Sequence, residues 1–138
     1  MANNTVLKWI PGGNRFVSTD STGHSVIMST SAENCGMKPS ELILSALAGC
    51  ASVDVVNILA KKHTPLSHLE VQVTAEQDPD PPWTFRKIYM KFLVKGEGLT
   101  EKSVEQAIQL SEEKYCSVAA TLRGEAEIIT SFCILPDK

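Results

Sequence analysis

Metal-ligand spacing is missing from this chain. Its three histidines, His24, His63 and His68, are scattered, and no C-x-x-C or H-x-x-x-H pair occurs. A bound metal is therefore not expected. A phosphate-binding loop is absent too, because Pro11, Gly12, Gly13 and Asn14 lack the lysine and the spacing, and no serine sits in a nucleophile elbow. Aromatic residues make up only 6% of the chain, too few for a base-stacking platform. The formal net charge is −3 with no run of one sign, so there is no basic face for nucleic acid. Four cysteines are too sparse for a secreted disulfide framework. Residues 1–12 include Asn3, Asn4, Lys8, Pro11 and Gly12 and lack the continuous apolar core of a secretory signal. The expectation is a cytoplasmic protein with reduced thiols.

What is present is an ordinary globular composition, 43% hydrophobic and 21% charged, in 138 residues. That length suits a single domain over residues 1–138. The chain is organised around PSELILSALAGCASVDVVNILAKK, Pro39 to Lys62. Pro39 suits a helix start, and Leu42, Ile43, Leu44, Leu47, Val53, Val55, Val56, Ile58 and Leu59 point all round a 3.6-residue helix. A helix apolar on every side is expected to be buried with layers over it. The run approaches the length of a membrane span, but Asp54 and Asn57 lie within it, and a central aspartate costs about 2.5–3.5 kcal/mol on insertion. A soluble core helix is the expectation, with no membrane partner.

Either side of that helix the patterning is that of strands. Thr5–Ile10, Arg15–Asp20 and His24–Thr30 read as short strands, the last two joined by a hairpin at Ser21, Thr22 and Gly23. Leu69–Glu76 alternates cleanly, and Phe85–Lys95 places Ile88, Met90, Phe92 and Val94 on one face. Thr100 is placed to cap a second helix reaching about Tyr115, with Val104, Ala107, Ile108, Ser111 and Tyr115 on its inner face. A short helix over CSVAATL stops near Gly124, and Glu125–Leu135 is a final strand. This order predicts an α+β fold with mainly antiparallel sheets packed on the central helix.

Two cysteines are candidates for chemistry. Cys50 lies mid-helix among Ala48, Gly49, Ala51 and Ser52, small residues that could let another element approach closely or leave room for a ligand over its sulfur. A free cysteine there is otherwise a small buried hydrophobe. Cys116 lies where one helix ends and another begins; at the head of the short helix its thiolate would be favoured by the local dipole. Packing against the sheet is the plainer alternative. Cys35 and Cys133 read as incidental.

The segments PSELILSALAGCASVDVVNIL, EKYCSVAATL and EAEIITSF, in this order across nearly the whole chain, resemble the OsmC/Ohr superfamily. The resemblance implies an intertwined homodimer with the long helices at its centre and two sites at the subunit interface. It implies reduction of organic hydroperoxides in oxidative stress defence. Cys50 would be the peroxidatic thiolate and Cys116 the resolving thiol, with no bound cofactor and an external dithiol or thiol protein as reductant. An apolar cleft would favour alkyl hydroperoxides, each buried methylene contributing about 0.8 kcal/mol. Burial alone raises a thiol pKa, so Cys50 needs a cation. In the Ohr pattern an arginine held by a glutamate supplies it. Arg15 falls in the matching strand; Ser40 stands directly after Pro39 where that pattern has the glutamate, and Glu41 comes one later. Arg86 and Arg123 are further cations. Asp54, four residues after Cys50, would oppose a thiolate if it faced the sulfur. The alternative function is a non-catalytic small-ligand-binding or redox-responsive protein on the same scaffold.

Overall fold

Three short strands joined by tight turns begin the chain because polar and glycine-containing turns interrupt each apolar run. The computed structural model describes residues 3–136 and divides into two units, Met1–Ile43 and Leu44–Lys138. In the first, β1 (Thr5–Ile10), β2 (Arg15–Asp20) and β3 (Ser25–Ser29) form an antiparallel meander. The β2–β3 turn is closed by the Asp20 carboxylate, which accepts from the Thr22 and His24 amides and the Thr22 hydroxyl. Gly23 takes the positive φ of +86° that this turn requires. After β3, the fully buried Ser29 hydroxyl accepts the amides of Cys35 and Gly36 at 3.3 and 3.0 Å. That loop delivers the chain to Pro39, where the long helix α1 (Pro39–Lys61) begins.

The second unit holds most of α1, β4 (His68–Gln77), β5 (Phe85–Lys95), α2 (Glu101–Leu110), a π turn (Ser111–Tyr115), α3 (Ser117–Leu122) and β6 (Glu127–Ile134). Alternation in β5 puts Ile88, Met90, Phe92 and Val94 inside, none more than 3% exposed. They join Leu47, Ala51, Val55 and Leu59 of α1 and Val104, Ala107 and Ile108 of α2 in one core. Thr100 caps α2 as expected. Its hydroxyl accepts the Ser103 amide at 3.1 Å while Ser103 Oγ accepts the Thr100 amide at 3.2 Å, a reciprocal box with serine in the place of the usual glutamate.

The architecture is α+β with two three-stranded sheets, β1-β2-β3 and β4-β5-β6. Three of the expected features take a different form. β6 runs parallel to β5, pairing Phe92 with Phe132 and Val94 with Ile134, because residues 96–126 form the long crossover that a parallel neighbour needs. The second helix does not continue to Tyr115. At Ser111 it widens into a π turn, closed by the Cys116 amide donating to the Ser111 carbonyl at 2.7 Å. The wider turn rotates the residues at its end, so Tyr115 is 55% exposed while Cys116 turns inward.

The third difference is in α1. Within the chain only its i, i+4 stripe of Leu47, Ala51, Val55 and Leu59 is buried. On the opposite face Ala46, Gly49, Val53, Val56 and Ala60, spaced three or four residues apart, are all exposed. One chain supplies one layer, and the all-round apolar helix has a second face that it leaves uncovered.

Candidate active site

Cys50 and Cys116 come together although 66 positions separate them. α1 carries Cys50 one residue before the buried Ala51, so its half-buried sulfur leans over the junction where the π turn hands over to α3. Cys116 is the N-cap of α3, 2% exposed, and its Sγ accepts the Ala119 amide at 3.3 Å. Both are free thiols.

Their acidities are split. Burial pushes the Cys50 thiol up, but the Val118 amide, the Cys116 thiol, the Ser117 hydroxyl and the Ser117 amide near its sulfur favour the charged form, and the net effect lies below the ordinary value. Cys116 moves the other way, to about 11, first through burial, against which the Ala119 amide acts, and then through its hydrogen bond to Cys50 and the negative charge there. Of the two, Cys50 is the more acidic thiol, and Cys116 holds its proton to higher pH. Heading the short helix does not make Cys116 the acidic member. It is the cysteine reaching in from α1 that collects the donors.

Those donors are neutral amide, hydroxyl and thiol groups, which sequence reasoning missed while searching for a cation. Residues 117 and 118 lie too far along the chain for their relation to Cys50 to be read, although the CSV motif marked the place. Of the cations considered, Arg86 binds Asp78 at 2.9 Å and Glu125 at 3.5 Å, and Arg123 donates to the Glu112 carbonyl. In the first unit, Arg15 donates to the Pro11 carbonyl at 2.9 Å and Glu41 pairs with Lys38 at 2.7 Å, so those two are not brought together within the unit. Arg15 Nε is buried without a partner among the described residues. Asp54 is engaged by Ser111, whose hydroxyl donates to Oδ2 at 2.8 Å. Cys35 and Cys133 are exposed. A groove of about 680 Å³ along α2 and β6, lined by Glu101, Glu105, Gln109, Glu113 and Phe132 among others, contains neither sulfur of the pair.

A paired-thiol site on an α+β scaffold with a long apolar helix defines a class, and comparison with known proteins identifies it. A family model described as OsmC-like protein matches residues 31–131, and the chain belongs to that family. It is 35% identical over 126 residues to Protein YhfA of Escherichia coli (strain K12), spanning 91% of this chain and 93% of that one. A hypothetical protein from Aquifex aeolicus VF5 has a similar structure, with TM-score 0.88, 27% identity and coverage of 100% and 99% of the two chains. The organic hydroperoxide resistance protein OhrB of Bacillus subtilis shares the fold, with TM-score 0.65, 16% identity and coverage of 96% and 98%. α1 is long and apolar enough to cross a membrane by length and composition. Its Leu47, Ala51, Val55 and Leu59 stripe packs into the core of the OsmC-like fold.

Proposed function

We propose that this protein is a thiol-dependent peroxidase that reduces organic hydroperoxides in the cytoplasm as part of oxidative stress defence. The observation that carries the reading is the contact between two thiols of opposite acidity, Cys50 lowered and Cys116 raised to about 11. The Cys50 thiolate attacks the distal peroxide oxygen, the O–O bond breaks, and the alkoxide leaves with a proton from solvent, giving an alcohol and a Cys50 sulfenic acid. The sulfenic acid no longer carries the charge that helped hold the proton on Cys116. Cys116 then loses that proton more readily and attacks the Cys50 sulfur, expelling water and forming a disulfide. An external dithiol or thiol protein reduces the disulfide by exchange, so no bound cofactor is needed.

The active form is a homodimer in which the exposed α1 stripe of Ala46, Gly49, Val53, Val56 and Ala60 meets its copy. The three- and four-residue spacing is that of a helix–helix seam, and Gly49 has open space where a Cβ would stand, as a close helix approach requires. The second copy is also the proposed source of the walls of an apolar substrate cleft. To this pair the family pattern would add Arg15 as the cation for the thiolate, with Glu41 as its holder. The test is turnover of an organic hydroperoxide with a dithiol by wild type, Cys50→Ser and Cys116→Ser. Wild type should turn over, Cys50→Ser should be inert, and Cys116→Ser should stall after one equivalent. Equal slow rates in wild type and Cys50→Ser would support the ligand-binding or redox-responsive alternative instead.

A further inference from the structure

The π turn between α2 and α3 is a local widening of a kind frequently found at functional sites, and Cys116 stands directly after it. Ser111, the first residue of that turn, is 1% exposed and acts in two directions. Its carbonyl accepts the Cys116 amide at 2.7 Å, and its hydroxyl donates to Asp54 Oδ2 at 2.8 Å. Asp54 lies one helical turn beyond Cys50 on α1, on the same face. The contacts close a circuit: Cys50, one turn of α1, Asp54, Ser111, Cys116, and back to Cys50 through the thiol contact. An apolar pair at positions 54 and 111 would pack α1 against the turn without desolvating a carboxylate. What a hydrogen bond adds is direction, since it fixes the rotation of the turn and hence where the Cys116 sulfur points.

We propose that Asp54 and Ser111 are positioning residues for the thiol pair, their hydrogen bond setting the π turn so that the Cys116 sulfur meets the Cys50 sulfur without backbone rearrangement. This rests on Cys50 and Cys116 acting as a pair, as in the proposed peroxidase cycle, but not on the oxidant being a hydroperoxide. The experiment therefore uses diamide, which oxidises the two thiols directly. One thiolate adds across the N=N bond, and the other displaces the resulting hydrazine, so two electrons and two protons pass to diamide as the S–S bond forms.

Closure of the Cys50–Cys116 disulfide is measured by mass spectrometry in a Cys35→Ser/Cys133→Ser background, alongside the pH profile of Cys50 alkylation. The reference protein and Asp54→Asn, which keeps an acceptor oxygen, should close at similar rates. Ser111→Ala and Asp54→Ala should close about tenfold or more slowly, as expected for reacting atoms held slightly out of place. The Cys50 alkylation midpoint should move upward in Ser111→Ala, which loosens the donors around the sulfur without changing any charge. The Asp54→Ala/Ser111→Ala double variant should be no slower than either single one, because both remove the same bond. The proposal is overturned if Ser111→Ala, folded by circular dichroism, closes at the reference rate with an unchanged profile. It is equally overturned if Asp54→Asn is as slow as Asp54→Ala, or if the reference protein does not close. Should Asp54→Ala fail to fold, Ser111→Ala carries the test, since it removes only a hydroxyl. Disulfide closure without hydroperoxide turnover would sink the peroxidase reading and leave this one standing.

Discussion

Replacing Val53 by aspartate tests the uncovered face of α1. Val53 is 61% exposed within its own chain, so the substitution does little to the isolated subunit: valine and aspartate have similar helix propensities, and no core contact is lost. In a symmetric dimer the same position is buried twice. Fully burying a valine contributes about 1.5 kcal/mol at the low end of its range, and roughly three-fifths of that remains to be gained at the interface. Losing it on both subunits weakens association by about 2 kcal/mol, or roughly thirtyfold in Kd. Desolvating two facing carboxylates adds several kcal/mol more, so the dimer should dissociate at micromolar concentration. Sedimentation equilibrium reads this directly: the wild type should sediment at twice the 15.0 kDa chain mass and Val53→Asp at that mass, with unchanged far-UV circular dichroism. A Val53→Asp protein that stays dimeric with an unaltered Kd would refute the assignment of this stripe to a second copy.

Two further outcomes concern the reduced site and α2. Iodoacetamide should alkylate Cys50 with a midpoint below that of an ordinary cysteine thiol, because deprotonation is favoured by the donors around it; Cys116→Ala removes one donor and should move the midpoint up, and a midpoint that stays or falls would contradict the thiol contact. Thr100→Ala breaks the reciprocal cap of α2 and should lower stability by about 1 kcal/mol in urea unfolding, with the m-value unchanged.

The strands and the core faces were legible because their signal is local. Period-two alternation in Phe85–Lys95 names the four residues that the structure buries, and Pro39 marks where α1 starts. The direction of β6 was not legible, since alternation is the same for parallel and antiparallel neighbours. Nor was the π turn, because Ser111–Tyr115 carries the same apolar spacing as the α-helix before it and only the closing hydrogen bond distinguishes the two. At the site, both cysteines could be picked out, as could the place where a short helix begins. The donors on Cys50 and the partner of Asp54 could not, because each is a relation between positions more than 55 residues apart. α1 was read correctly as apolar all round, but which of its faces the chain itself covers was not legible, since composition records the need for a cover and not what supplies it.

The parallel pairing of β5 with β6 also orders events during folding. β4 and β5 lie close in the chain and pair as a hairpin, whereas β6 must wait for residues 96–126, the stretch that contains Cys116, to fold across. Until that crossover is in place Cys50 has no amide donors and no neighbouring thiol, and its sulfur is that of an ordinary cysteine. The lowered thiol pKa of Cys50 is thus a product of the finished fold, and an incomplete chain emerging from the ribosome carries Cys50 without it.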